Sequence, residues 1–173
     1  MPACLSRRAA GAAAFAVLLA ATPALAAAPP LHVTRTVVID APAAKVWAIM
    51  GNFADLTWVP AVKHSSATEG NVVGSVRTLD LGGPKLHERL AAYDAARMDY
   101  GYIILPTAAN EAVLPVSDYS STITLSAAGA GKTRVTWSGN FAPAPGKTAA
   151  AAVGAISGVY QAGLGNLAKL AVK

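Results

Sequence analysis

The chain has 173 residues, 54% of them hydrophobic and 13% charged, with a formal net charge of +5. That length suits one domain with a sizeable core, and without an aromatic-interleaved Lys/Arg stripe so mild a charge gives no footprint for nucleic acid. The single cysteine, Cys4, precedes the first apolar run, which excludes disulfide and thiol chemistry from everything after it.

Arg7 and Arg8 lead into an Ala/Leu/Val run from Ala9 to Ala21, followed by Ala24-Leu25-Ala26. A basic start, a short apolar stretch and small residues at a cleavage position predict a secretory signal peptide over 1–26, leaving 27–173 as a single domain. The run is too short for a stable membrane span, and no second one follows. Ser6-Arg7-Arg8 leaves twin-arginine export open beside the ordinary route. Either route implies a periplasmic location, and losing Arg7 and Arg8 lowers the charge from +5 to +3.

After a short leader, Ala27 to Pro30, a strand is expected over Leu31 to Asp40, with Val33, Val37 and Ile39 on one side. Pro42 suits the first turn of a helix carrying Ala43, Val46, Trp47 and Met50 on one face. Phe53 to Val62 reads as a second short helix or turn. Strands follow at about His64 to Thr68, Val73 to Leu81 and Lys85 to Tyr93.

Gly82-Gly83 is a favoured two-residue hairpin turn. Folding there opposes Leu79 with Leu86 and Arg77 with Glu88, and side-chain alternation puts both charges on the leucine face. A buried ion pair costs several kcal/mol per ion before attraction offsets it. This is therefore the place to look for a polar site. The same two residues also fit a plain cross-strand structural pair.

Met98 to Leu105 places Tyr100, Tyr102 and Ile104 on one face, and Pro106 to Val116 is a long loop. Asp118 to Ser126 turns Tyr119, Ser121, Ile123 and Leu125 inward, and Lys132 to Phe141 does so for Val135, Trp137, Gly139 and Phe141. A terminal helix then carries Ile156, Val159, Tyr160, Gly163, Leu164, Leu167 and Leu170 along one stripe. Its glycines at 154, 158, 163 and 165 are expected to leave a hollow beside it. Trp47 reads as core. Trp58 fits core or a cavity mouth, Tyr102 and Tyr119 fit core or site, Trp137 packs on the terminal helix, and Asn166 fits the rim of the stripe or solvent.

Other chemistries find no support. Gly131-Lys132-Thr133 mimics the end of a P-loop, but Ser126 stands where its first glycine belongs. His32, His64 and His87 are scattered without metal-ligand spacing, and Ser157 lacks a nucleophile-elbow context. No metal and no cofactor is expected.

The order is one strand, two short helices, a run of antiparallel strands and a long final helix, an α+β arrangement in which a curved sheet of about seven strands wraps the helix. Carried by Ala41-Pro42-Ala43-Ala44-Lys45-Val46-Trp47, Val73-Gly74-Ser75-Val76-Arg77, Glu88-Arg89-Leu90, Asp118-Tyr119-Ser120-Ser121 and Asn166-Leu167-Ala168-Lys169-Leu170, the chain resembles the START-related (SRPBCC) superfamily. This is the polyketide cyclase/dehydrase-like group that includes the birch pollen allergen and the plant abscisic acid receptors. The resemblance implies a helix-grip fold with an apolar cavity for a lipid or other hydrophobic small molecule. It places Arg77, Glu88, Tyr102, Tyr119, Ser121 and Asn166 at the ligand, Gly82, Gly83 and Pro84 as a gate, and Leu114, Pro115 and Val116 as a latch; Trp58 and Trp137 join the ligand-binding candidates by their place in the pattern. Val59 stands where those receptors hold the lysine that meets an acidic ligand. The expected function is a periplasmic binding or carrier protein for a small hydrophobic or amphipathic molecule. Two alternatives stand beside it: a cyclase, dehydratase or isomerase with Glu88 as acid or base, and an accessory protein of a periplasmic oxidation system with a protein partner.

Overall fold

The computed structural model describes residues 29–173, so the signal-peptide reading of residues 1–26 lies outside the described residues. Seven strands, β1 (Leu31–Ile39), β2 (His64–Ala67), β3 (Val76–Asp80), β4 (Lys85–Asp94), β5 (Asp99–Ile104), β6 (Val116–Ala127) and β7 (Thr133–Pro143), form one antiparallel sheet. Their order is β1-β7-β6-β5-β4-β3-β2, so the first strand closes one end by pairing with the last. Helices α1 (Ala43–Met50), α2 (Ala108–Val113) and α3 (Ala149–Ala171) complete the chain. No helix among the described residues is long and apolar enough to cross a membrane.

Helix α3 starts where the Thr148 hydroxyl caps the Ala151 N–H at 3.1 Å. It buries Ile156, Tyr160, Gly163, Leu164 and Leu167 against the inner face of the sheet and packs on β1, β7 and α1. The sheet curves around it, and the inward side chains of every strand from β3 to β7 meet it in one core.

The β3–β4 hairpin forms in the expected register, with Leu79 opposite Leu86 and Arg77 opposite Glu88. Gly82 and Gly83 both take positive φ, at 88° and 146°. Asp80 Oδ1 accepts from both of their N–H groups, at 2.8 and 3.3 Å, and so braces the turn.

Three expectations need correction. Of the two short helices expected after β1, only α1 forms; Phe53 to Val62 is a chain of turns. The cause is local: Asn52 Oδ1 accepts from Ala54 N and Asp55 Oδ1 from Thr57 N, and these side chains compete with helical backbone bonds. The long loop instead holds α2, capped by Thr107 Oγ1 on Asn110 N at 3.2 Å. Lastly, the glycines of α3 leave no hollow. A Cβ on Gly163 would stand 2.9 Å from the Trp137 ring and 3.2 Å from that of Trp58, whereas Gly154, Gly158 and Gly165 have nothing within 4 Å.

These glycines separate in a denaturation experiment. Gly163→Ala lowers stability by about 1–3 kcal/mol through overpacking, whereas Gly158→Ala on the exposed side raises it by about 0.5–1 kcal/mol through helix propensity. Urea unfolding of both variants reads the two opposite signs; equal effects would refute the tight packing at Gly163.

Candidate ligand-binding cavity

Between α3 and the concave face lies a cavity of about 120 Å³. Leu56, Val59, Leu79, Leu86, Ile156 and Val159 give it apolar walls, and Glu88, Tyr102, Tyr119 and Tyr160 supply its polar groups. Leu56 and Val59 come from the turn segment, Ile156, Val159 and Tyr160 from the helix, and the others from β3 to β6. The cavity therefore exists only when helix and sheet are joined.

Glu88 is 3% exposed and Arg77 fully buried. Arg77 Nε and Nη2 both donate to the same carboxylate oxygen, Glu88 Oε2, at 2.9 and 2.5 Å. Nη1 donates to the Phe53 carbonyl at 3.0 Å, and the guanidinium lies over the Phe53 ring at 4.2 Å and beside the Tyr102 ring at 5.1 Å. Glu88 Oε1 receives no donor among the described residues. The fully enclosed side-chain polar atoms without a partner are Trp58 Nε1 and Tyr100 Oη; Oε1 differs from them in keeping a little accessible surface, on a residue that lines the cavity.

Burial pushes the Glu88 carboxyl above its ordinary value, and the charge of Arg77 offsets only part of that. For Arg77, burial opposes the charge, but Glu88, with Tyr100 and Tyr102, outweighs it and raises its value. Burial raises the tyrosines too: Tyr160 to about 12, Tyr102 and Tyr119 well above the usual phenol. Their hydroxyls are therefore neutral near pH 7, able both to donate and to accept.

Those hydroxyls are linked. Tyr119 Oη lies 2.6 Å from Tyr160 Oη, which lies 3.0 Å from Ser121 Oγ, and Ser121 donates to the Ser138 carbonyl at 2.8 Å. Trp137 Nε1 donates to Ser121 Oγ at 2.9 Å and to Tyr102 Oη at 3.1 Å, and Tyr102 Oη is 3.5 Å from Tyr119 Oη. Gly139 makes room for this: a Cβ there would meet Tyr160 Oη at 2.3 Å. No group of three or more potential metal ligands occurs among the described residues.

The family model for polyketide cyclase / dehydrase and lipid transport matches residues 30–172. The chain belongs to this family. Among solved structures, this family member is similar to an uncharacterized protein from Bacillus thuringiensis, at 28% identity and a TM-score of 0.72, covering 83% of this chain and 100% of that one. It is also similar to protein XoxI from Bacillus cereus, at 29% identity and a TM-score of 0.72, covering 82% and 96%. Ara h 8.0201 shares the fold, at 16% identity and a TM-score of 0.66, covering 83% and 98%. No curated protein matches the chain. The polyketide cyclase/dehydrase-like chain is thus a helix-grip protein of the START-like superfamily.

Within this helix-grip frame, four of the residues expected at a ligand, Glu88, Tyr102, Tyr119 and Trp137, line the cavity. Four do not. Arg77 lies sealed behind Glu88 and orients it, and Ser121 sits behind the tyrosines and holds Tyr160 and Trp137. Trp58 is buried against Trp137, with ring centroids 5.3 Å apart, which is the core alternative. Asn166 donates to the Trp58 carbonyl at 2.9 Å and ties α3 to the turn segment. Gly82, Gly83 and Pro84 are exposed and off the cavity wall, which only Leu81 of the hairpin tip reaches; of the latch residues only Leu114 lines it. Sequence reasoning left Tyr160 as one residue of a helical stripe. A glycine between inward Trp137 and Phe141 was its signal, since a strand glycine marks a close approach. Asn110, buried in the loop and bonded to both backbone groups of His87, gave none.

Two stability outcomes follow from the ion pair. Arg77→Met and Glu88→Leu each cost about 3–5 kcal/mol, because each strands a buried charge, and the double variant recovers most of that loss; chemical denaturation of the four proteins measures the coupling, and additive losses would contradict it. Because the folded value of Glu88 lies above its unfolded value, folded protein holds the extra proton. Glu88 thus adds stability below the ordinary carboxyl range and loses it as pH rises through the raised value. The stability of wild type relative to Glu88→Gln therefore grows on acidification through that window, and a pH-independent difference would refute the raised value.

Proposed function

We propose that this protein binds a small hydrophobic or amphipathic molecule between α3 and the sheet, and that it does so in the periplasm as a carrier. The observation that carries the reading is the apolar cavity whose one charged group, Glu88, is fixed by a buried arginine and keeps an oxygen without a protein donor. Binding sites have this form, with apolar walls and a few placed polar groups that orient the ligand. The family description, polyketide cyclase / dehydrase and lipid transport, agrees with an apolar ligand. Arg7, Arg8 and the apolar run after them support export.

Catalysis at the same cavity is less well supported. Glu88 Oε2 is taken up by two N–H groups of Arg77, which leaves Oε1 alone to handle a proton. The other titratable groups on the wall are tyrosines raised by burial, poor proton donors near pH 7.

A cavity of this size suits a molecule near one aromatic ring, since an apolar cavity of about 150 Å³ admits benzene. Toluene is expected to bind saturably and to raise the melting temperature. Val159→Trp, which fills the cavity from the half-buried helix face, abolishes that response while the protein stays folded. Thermal unfolding with and without toluene tests this; an unchanged response in Val159→Trp would place binding elsewhere.

A further inference from the structure

The hydroxyl chain behind the cavity has a fixed direction, and that direction decides which polar ligand the site takes. The Ser138 carbonyl can only accept, so the single Ser121 hydroxyl proton is committed to it. The bond between Ser121 and Tyr160 then requires Tyr160 to donate, and Tyr160, its proton used, must accept from Tyr119. Trp137 Nε1, a donor only, supplies a hydrogen to Tyr102 Oη. At the head of the chain stands Tyr102, whose own proton faces one protein acceptor, Tyr119 Oη, at 3.5 Å. That is the longest bond of the chain and the one a ligand oxygen most easily replaces.

Beside this under-used donor stands an unused acceptor. In β4 and β5, Glu88 pairs with Ile104 and Leu90 with Tyr102, so Glu88 and Tyr102 are diagonal neighbours on one face, close enough for long side chains to meet one ligand. Both surround the same guanidinium, with Glu88 Oε2 2.5 Å from Arg77 Nη2 and the Tyr102 ring 5.1 Å from Arg77 Cζ. Apart from the Tyr119 and Tyr160 hydroxyls, which are committed to the chain, the remaining lining is apolar and carries no cation among the described residues, and Val59 offers none.

We infer that the cavity selects a neutral, ring-sized molecule bearing a hydroxyl, with Glu88 Oε1 accepting the ligand O–H and Tyr102 O–H donating to the ligand oxygen. This rests on the cavity being a binding site and adds its polarity. A hydroxyl satisfies both groups at once. An apolar isostere strands them, and a carboxylate brings a second negative charge to Glu88 with no free cation on the wall to meet it.

The probes are phenol, toluene and benzoate, titrated into the full folded protein by calorimetry near pH 7. Phenol is expected to bind about tenfold or more tighter than toluene, the scale of a hydrogen bond to a charged group, and benzoate to show no binding. Tyr102→Phe and Glu88→Gln abolish the preference for phenol over toluene. Should Glu88→Gln fail to fold with Arg77 unpaired, Tyr102→Phe decides, because Trp137 Nε1 keeps Ser121 as acceptor there. Equal affinities for phenol and toluene, benzoate binding as tight as phenol, or a phenol preference that survives Tyr102→Phe would each overturn the inferred polarity while toluene binding leaves the cavity itself in place. Failure of all three probes would overturn both.

Discussion

Arg77 and Glu88 face each other across β3 and β4 where bulk water scarcely reaches either, and this constrains everything around them. A guanidinium at that depth needs partners on all sides, and it has them in Glu88 Oε2, the Phe53 carbonyl and the faces of Phe53 and Tyr102. The turn segment, β3, β4 and β5 are thereby tied to one charge. The segment that would otherwise be a loose connection between α1 and β2 is held at Phe53 by the arginine and at Trp58 by Asn166. Both ties set where Leu56 and Val59 meet the cavity. A hydrophobic pair at the same positions would pack with less desolvation cost, but it would fix no carboxylate oxygen on the wall.

The second polar layer follows the same logic at lower cost. Tyr119, Tyr160, Ser121 and Trp137 are buried polar groups that satisfy one another and end on a backbone carbonyl, so the core carries them without an orphaned donor in the chain. Gly139 and Gly163 are the two places where a missing Cβ permits this packing, one under the Tyr160 hydroxyl and one under the Trp137 ring. Trp137 and Tyr160 then stack at 4.2 Å, which seats the helix on β7. Helix position and hydrogen-bond direction are set by the same few atoms.

What the sequence made legible follows from how locally each feature is determined. The Gly82-Gly83 turn fixes its own register, so the placement of Arg77 against Glu88 could be read from the hairpin alone. Alternation made the inward faces of β6 and β7 readable for the same reason, and the spacing of Tyr100, Tyr102 and Ile104 did so for β5. The hydroxyl chain was not readable, because it needs the registers of β5 on β6 and β6 on β7 together with the rotation of α3. The stretch after α1 was ambiguous because its apolar spacing suits a helix while Asn52 and Asp55 cap turns. The hollow expected from the glycines of α3 failed because three face solvent and the fourth admits tryptophan rings. Asn166 and Trp58 stand off the cavity wall and bond to each other, because their positions depend on how the turn segment drapes over α3.

The arrangement of charge also separates recognition from chemistry. A carboxylate that moves protons must change state during each cycle, and its value must sit near the working pH. At Glu88, burial favours the neutral carboxyl while Arg77 favours the charged one, so a proton gained and lost in every cycle would change the pairing of a fully buried guanidinium at each turnover. A carboxylate that keeps one state and offers one oxygen leaves that pairing unchanged. It gains from a ligand hydroxyl that brings its proton along and keeps it. The same fixed pair that occupies one oxygen of Glu88 makes the other a well-oriented acceptor, and the tyrosine beside it, too buried to ionise, supplies the matching donor. Under the proposed binding role, polarity in this cavity discriminates among neutral guests, which apolar walls cannot do by shape alone.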